Sequence, residues 1–440
     1  MNKISFTIIA ACTALLAACG GGGGGAITPG GGGGSPSTPT PSPSPSHAPA
    51  TVLFTPLPAP TGQPTNLTQT ITVGTPQAVL TQGQFGLQGM PDEVISFLKF
   101  SDSSYRMWLA GNVTGILGDG TMGFSSPDLL QYTPLNSSGG KAAYDLSNGG
   151  MGTQTFDADY AGPGTVTVGN GTSLVMIYHG ENHLFNGVDY PTVPFECGVG
   201  LATSADNGLT WTKQGEIIAG EDPKPTGSPP PAGFGACNPA AIAVGGYIYA
   251  AYMEYPDPGT NHFGLAIARA PLNSNGAPGS WLKYNNGAFS SDALHNGAFT
   301  NVLPSAVSAS GYAAFPELSF NRYLNAFVLL IVGNDGIYLA TSPDLVNWSA
   351  GTKVIDAPGA TNAVVGTQLV ACVGTSSPCP KYVWYSTMVS PSENSSEVTD
   401  QTGYIYSAYD PGGVGQYEQL YRYPYAIGNA PLPSDHLKRR

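Results

Sequence analysis

The sequence predicts an all-β protein, a five-bladed β-propeller of four-stranded antiparallel blades on a disordered N-terminal tether. Three observations predict it. A turn-and-aromatic landmark recurs at near-constant spacing along the chain. The composition is poor in charge and rich in Gly, Pro, Tyr and Asn, which suits short strands joined by tight turns. No stretch beyond the N-terminus carries a long helical apolar period.

The chain opens on a targeting segment. Lys3 supplies a positive charge, and Ile4 to Ala18 is apolar. That run is shorter than the roughly 20 residues a membrane-spanning helix needs. It ends in Leu16-Ala17-Ala18-Cys19-Gly20, small residues before a cysteine. This resembles the bacterial lipobox. The resemblance implies a signal peptide over 1–18, a lipid on Cys19, and a cell-envelope location on a membrane, the outer membrane being the expected one.

Residues 19–75 read as a tether. Gly20 to Gly25, Gly30 to Gly34 and the Pro/Ser/Thr run from Ser35 to Ser46 offer little apolar surface to offset ordering entropy. The folded domain is expected over 76–435.

Within it, three segments share a Ser-x-Asp turn followed by an aromatic: Ser126-Pro127-Asp128 with Tyr132, Ser204-Ala205-Asp206 with Trp211, and Ser342-Pro343-Asp344 with Trp348. Trp281 and Tyr417 fall in phase without the turn. The aromatics at 132, 211, 281, 348 and 417 are 79, 70, 67 and 69 residues apart. An aromatic-rich strand lies upstream in each unit, beginning at Tyr105, Leu174, Tyr247, Asn325 and Tyr382, and is read as the second strand of its blade. Ser and Asp side chains bond nearby amides and hold such turns. Their role is structural.

The net charge of -13 argues against nucleic acid, since little would neutralise phosphates. Lys438-Arg439-Arg440 reads as a solvated end. Beyond Cys12 and Cys19 there remain Cys197, Cys237, Cys372 and Cys379, an even number suited to an oxidising compartment. Three pairings are open. Cys372–Cys379 closes a local loop and is favoured, which leaves Cys197–Cys237. No Cys-x-x-Cys spacing suggests zinc.

In a propeller the first strand of each blade lines the channel, so acids at its entry converge. Asp92 and Glu93 open blade 1, Asp157 and Asp159 blade 2, and Glu317 blade 4. Asn238 stands in blade 3, and blade 5, starting near Val365, has no acid. Glycoside hydrolysis needs two facing carboxyls, one protonated and one ionised.

Here the chain resembles the five-bladed glycoside hydrolases, the arabinanase, β-xylosidase and fructosidase superfamily. The resemblance lies in the Ser-x-Asp turns and the blade-entry acids. It implies an inverting hydrolase of polysaccharide or oligosaccharide. Asp92 would be the base that activates water, Glu317 the acid, and Asp159, with Asp157 as its rival, the group that tunes the acid. In that family the acid stands in Glu-Gly-Pro and an Asp-Pro opens blade 1. Here Pro316-Glu317-Leu318 and Pro91-Asp92 stand instead.

Tyr178-His179-Gly180-Glu181-Asn182-His183 ends a strand with mixed donors and acceptors that suit sugar hydroxyls. His179, Glu181, Asn238 and Trp108 are the expected substrate contacts, with Glu254 and Asp257 as lesser ones. Aromatics of this density otherwise fill inter-blade core. His179 and Glu181 alone are too few for a metal, so neither metal nor cofactor is expected. The protein is read as a monomer with a carbohydrate partner. Two other functions stay open: a non-catalytic glycan-binding lipoprotein on the same fold, and a protein-interaction scaffold.

Overall fold

The computed structural model describes residues 50–114, 119–150, 152–171, 173–190, 194–224, 233–255, 263–305, 307, 313–333, 336–356, 382–410 and 419–433. These are strands, turns and extended chain, with no α-helix among them. Cys19, Cys372, Cys379, Asp257, Tyr417 and the segment around Val365 lie outside the described residues.

The strands form five consecutive antiparallel meanders. The first runs through Ser96–Lys99, Tyr105–Gly111, Asp119–Ser126 and Thr133–Pro134. The second runs through Tyr160–Val168, Leu174–Asn182, Phe195–Ser204 and Thr212–Ile218. The third has Gly233–Val244, Tyr247–Tyr255, Gly264–Pro271 and Leu282–Asn285. The fourth has Ala314–Asn321, Ala326–Gly333, Gly336–Ser342 and Thr352–Asp356.

The fifth meander is built differently. Tyr382–Val389, Thr402–Asp410 and Gln419–Ile427 pair in order, and the outer place is taken by Ile71–Val73 and Gln77–Leu80 from the start of the domain. This corrects the sequence reading twice. The Tyr382 strand is the first of its meander, not the second. Residues 50–75, expected as tether, also pack on the domain. Leu53 donates to Lys99 O, Leu57 to Ala243 O and Thr65 to Leu324 O.

The apolar core lies between neighbouring meanders. Val328, Leu330 and Val332 of the fourth pack with Val383, Met388 and Ile405 of the fifth. Burying each such side chain contributes roughly 1.5–3 kcal/mol. At the rim the Ser-x-Asp turns form as their sequences require. Asp128 Oδ1 accepts the Leu130 and Gln131 amides, Asp206 Oδ1 that of Thr210, and Asp344 Oδ1 those of Val346 and Asn347.

Side chains latch the first strands to one another. Ser96 Oγ accepts the Val166 amide and Thr165 Oγ1 that of Ala241. Glu317 accepts the Met388 amide, and Thr387 Oγ1 that of Ile95. Between the third and fourth meanders Glu397 takes this part: its Oε2 accepts the Ala243 amide and its carbonyl that of Phe320. The latches therefore pass from meander to meander and return to the first.

Glu397 belongs to the link between the first two strands of the fifth meander. That link crosses the exit ends of the first strands. Ser396 donates to Phe97 O, Val398 pairs with Phe320, and Arg322 donates to Thr399 O. The chain from Val52 to Thr65 bonds at the same end, so a plug and a strap form one floor. The candidate residues stand at the opposite, entry end.

Candidate active site

A repeated irregularity shapes the entry end. The first strands of the second to fifth meanders each slip register there, opposite Ile177/Tyr178, between Cys237 and Ala240, between Ala314 and Glu317, and between Trp384 and Thr387. Asn238, Phe315 and Tyr385 take φ of 54°, 54° and 49° at these bulges. Positive φ is tolerated by Asn but costs energy in Phe and Tyr. Bulges re-aim side chains, and here they turn Asn238 and Tyr385 toward the acids of the first meander.

Two connected groups result. In the first, Glu93 Oε1 is bonded to His179 Nδ1 and accepts Asn238 Nδ2 at 2.7 Å. His179 Nε2 lies 3.7 Å from Glu181 Oε1, and Glu181 Oε2 lies 3.0 Å from His183 Nε2. All five side chains are buried. Burial opposes charge on His179, but the Glu93 carboxylate outweighs it and holds the imidazole above its ordinary range. His183 is raised the same way against its own burial, by Glu181.

In the second group, Asp92 is only partly buried. Its Oδ1 accepts the Tyr385 hydroxyl at 3.0 Å, and its carbonyl accepts the Tyr160 hydroxyl. Asp159 Oδ2 accepts the His183 amide at 2.8 Å, while Oδ1 is buried without a hydrogen bond. Burial raises the Asp159 carboxyl, with smaller pushes from Asp189 and Glu181 and opposition from His183. Tyr160 joins the two groups. Burial first, then the charges of Asp92, Glu93 and Glu181, hold its phenol neutral far above neutrality.

The fold thus brings Asp92, Asp159, His179, Glu181 and Asn238 to one end. Asp157 is set apart, bonded to Lys213 and the Tyr178 hydroxyl. Glu317 does not join them. It is buried between the fourth and fifth meanders, raised by burial and bonded to the Met388 amide. Its place is that of a latch, equivalent to Thr387.

Trp108 is also corrected. It is fully buried between the first two meanders, donates Nε1 to Gly208 O and meets Trp211 edge-on at 6.0 Å. A Cβ on Gly208 would lie 2.3 Å from its ring, so glycine there serves this packing. Glu254 faces buried Lys283 at 3.7 Å instead of the cluster. The Cys197–Cys237 disulfide forms, with Cα atoms 5.2 Å apart.

Sequence reasoning passed over Glu93, Tyr160 and Tyr385 as functional residues. Glu93 stood beside Asp92 in the bend before Ser96–Lys99, where no strand period tells which of the two acids faces inward. Tyr385 was hidden by the mistaken phase of its strand.

No protein-family model and no curated protein matches this chain. Solved structures with a likeness include several glycoside hydrolases. The GH62 α-L-arabinofuranosidase catalytic domain of Coprinopsis cinerea is 12% identical, with 84% of this chain and 98% of that one covered and a TM-score of 0.43. A family 117 glycoside hydrolase of Zobellia galactanivorans is 11% identical over 86% and 91%, at 0.40. A Dyadobacter fermentans protein described as of unknown function is 11% identical over 81% and 99%, at 0.43. Likenesses at these scores decide neither fold nor chemistry here.

Proposed function

We propose that the five meanders are the blades of a closed five-bladed β-propeller, and that its acid-lined entry hydrolyses glycosidic bonds with inversion. The latch cycle supports the ring, since it leads from the first blade through the fifth and back. One observation carries the chemistry: carboxyls of Asp92, Glu93 and Glu181, from two blades, surround Tyr160 at the entry, and Asp159, raised by burial, adjoins the same cluster through Glu181 and His183.

In this reading Asp92 takes a proton from the attacking water, its carboxylate oriented by Tyr385. Asp159, whose carboxyl burial shifts toward its protonated form, gives its proton to the leaving oxygen. Asp159 therefore replaces Glu317 as the acid. Phe315 and Tyr385, with ring centroids 4.3 Å apart, provide an aromatic wall beside Asp92. Buried Asn238 and the His179–Glu181 strand end offer mixed donors and acceptors for hydroxyls.

The test is sugar release from a panel of polysaccharides and oligosaccharides. Asp92→Asn and Asp159→Asn should each lose it, while Glu317→Gln should keep it. The anomer first released, read by NMR, decides inversion. Release unchanged in both aspartate variants would refute this assignment. A second reading, glycan binding without hydrolysis, is favoured by the withdrawal of Glu317 into a latch. Saturable binding to a glycan that the wild-type protein never cleaves would establish it.

The location is part of the proposal. Leu16 to Cys19 favours a lipid anchor, and the strap enters the domain on the floor, so the entry end would face away from the membrane. Labelled palmitate should be incorporated by the wild-type chain and not by Cys19→Ser.

A further inference from the structure

His179 presents a problem that glycoside chemistry leaves unsolved. Its Nδ1 is fixed on Glu93, yet its Nε2 is buried and makes no hydrogen bond. A buried polar atom without a partner calls for an explanation. Sulfur lies close to this imidazole. A ring nitrogen of His179, Cys197 Sγ and Cys237 Sγ all lie within 4.8 Å of one another, and all three residues are buried. They come from three strands in two meanders, Leu174–Asn182, Phe195–Ser204 and Gly233–Val244. The sequence offered His179 and Glu181 alone as ligands. The fold adds two cysteines that stand 18 and 58 residues beyond the histidine.

We propose that His179, Cys197 and Cys237 form a thiolate–imidazole site for a thiophilic divalent cation of the zinc class, and that the disulfide is its closed, metal-free state. The donor set is right for such a cation, two sulfurs and one ring nitrogen. The anchoring is right as well. A metal-binding histidine characteristically gives its other ring nitrogen to a carboxylate, which fixes the ring and raises its basicity. Glu93 stands in that position. Glu181 Oε1, 3.7 Å from Nε2, is placed to complete or to orient the set.

The exchange balances. A dithiol reductant gives two electrons and two protons to the Cys197–Cys237 bond and closes to its own cyclic disulfide. Each freed thiol loses its proton to solvent as a sulfur–metal bond forms. Two thiolates then neutralise the dication inside a buried site. A cyclic disulfide of the same class reverses both steps by thiol–disulfide exchange: it takes two electrons from the thiolates and two protons from solvent, the Cys197–Cys237 bond re-forms, and the metal is released.

The experiment uses the full chain with Cys12, Cys19, Cys372 and Cys379 replaced by Ser, so that only the two cysteines in question remain. The reduced protein, kept so by a phosphine, is titrated with Co(II) and then with Zn(II). One equivalent of Co(II) should give a thiolate-to-cobalt absorption band that Zn(II) removes. The oxidised protein should give none. His179→Ala in the reduced protein should weaken Co(II) binding at least about 10-fold, and Glu93→Gln about 10- to 100-fold. Absence of the band in reduced, folded protein overturns the site. So does equal affinity in His179→Ala, which would leave only an adventitious pair of thiols. If the reduced chain loses its fold, Zn(II) must restore the near-ultraviolet circular dichroism spectrum, and failure to restore it also overturns the proposal.

Discussion

The two ends of the first strands are built from the same kinds of residue for opposite purposes. At the floor, both oxygens of buried Glu397 are occupied: Oε2 accepts the Ala243 amide and Oε1 the Ser395 hydroxyl. At the entry, carboxyls face imidazoles, phenols and one another, and Asp159 keeps an oxygen without a bond. Polar groups that bond backbone amides hold meanders together. Carboxyls set among imidazoles and phenols are available for chemistry. Burial does not separate the two cases, since Glu317 and Glu397 are as buried as Glu93, and neither does an unbonded oxygen, since Glu317 Oε2 is buried without a hydrogen bond. The surroundings do: Glu93 meets an imidazole and a side-chain amide, whereas Glu317 and Glu397 meet backbone amides of neighbouring meanders.

The strongest test of this division is Asp92→Asn. It should lower the rate of sugar release by roughly 10²–10⁴-fold, the usual worth of a general base. The thermal midpoint should barely move, because Asp92 is partly exposed and spans no latch. A large drop in midpoint with a proportionate drop in activity would erase the contrast between the two ends.

Latches should behave the other way. Thr387→Val keeps the shape but leaves the Ile95 amide buried without an acceptor, a cost of about 1–3 kcal/mol. Denaturant unfolding should register that loss, while kcat should stay near the wild-type value. Thr387→Ser should restore most of the stability. If Thr387→Val unfolds no more easily, the side-chain latch is not what joins the fifth meander to the first.

The rim turns were legible in the sequence and the make-up of the fifth meander was not. Ser126-x-Asp128, Ser204-x-Asp206 and Ser342-x-Asp344 announce themselves because each turn is satisfied by its own residues. The fifth meander does not, because its outer strand comes from residues 71–80, and a period read along the chain cannot see a partner some 340 residues away. The strap is silent for a related reason: its few buried apolar residues, Phe54 and Leu57, and its backbone groups find partners in meanders far along the chain. At the site, His179 and Glu181 stood out as charged residues in an apolar strand. Glu317 was misread because the same acid before the same kind of bulge can face the channel or a neighbouring amide, and only packing chooses.

The floor also predicts a pH dependence. Burial raises the Glu397 carboxyl from 4.5 to about 8, with its hydrogen bonds opposing the shift. The folded state therefore binds this proton more tightly than the unfolded state. Its stabilising contribution is complete below about pH 4.5 and is lost as pH rises through about 8. Glu397→Gln keeps an acceptor for Ala243 and cannot ionise. The variant should gain at least about 1 kcal/mol over wild type between pH 5 and 8 by urea unfolding, since each pK unit is worth about 1.4 kcal/mol. Parallel pH profiles for the two proteins would mean that Glu397 sits ionised in the floor.

The smallest expected effect is the most discriminating at the entry. Tyr385→Phe removes one hydroxyl and leaves the ring beside Phe315, so the aromatic wall and the strained backbone persist. The 3.0 Å bond to Asp92 is lost. If that bond aims the carboxylate at water, kcat should fall about 5- to 10-fold, matching roughly 1 kcal/mol for one hydrogen bond, while KM holds. If Tyr385 instead serves as a surface for the sugar ring, Tyr385→Phe should be nearly silent and Tyr385→Ala should raise KM. The two outcomes assign the bulge of the fifth meander either to orienting the base or to holding the substrate.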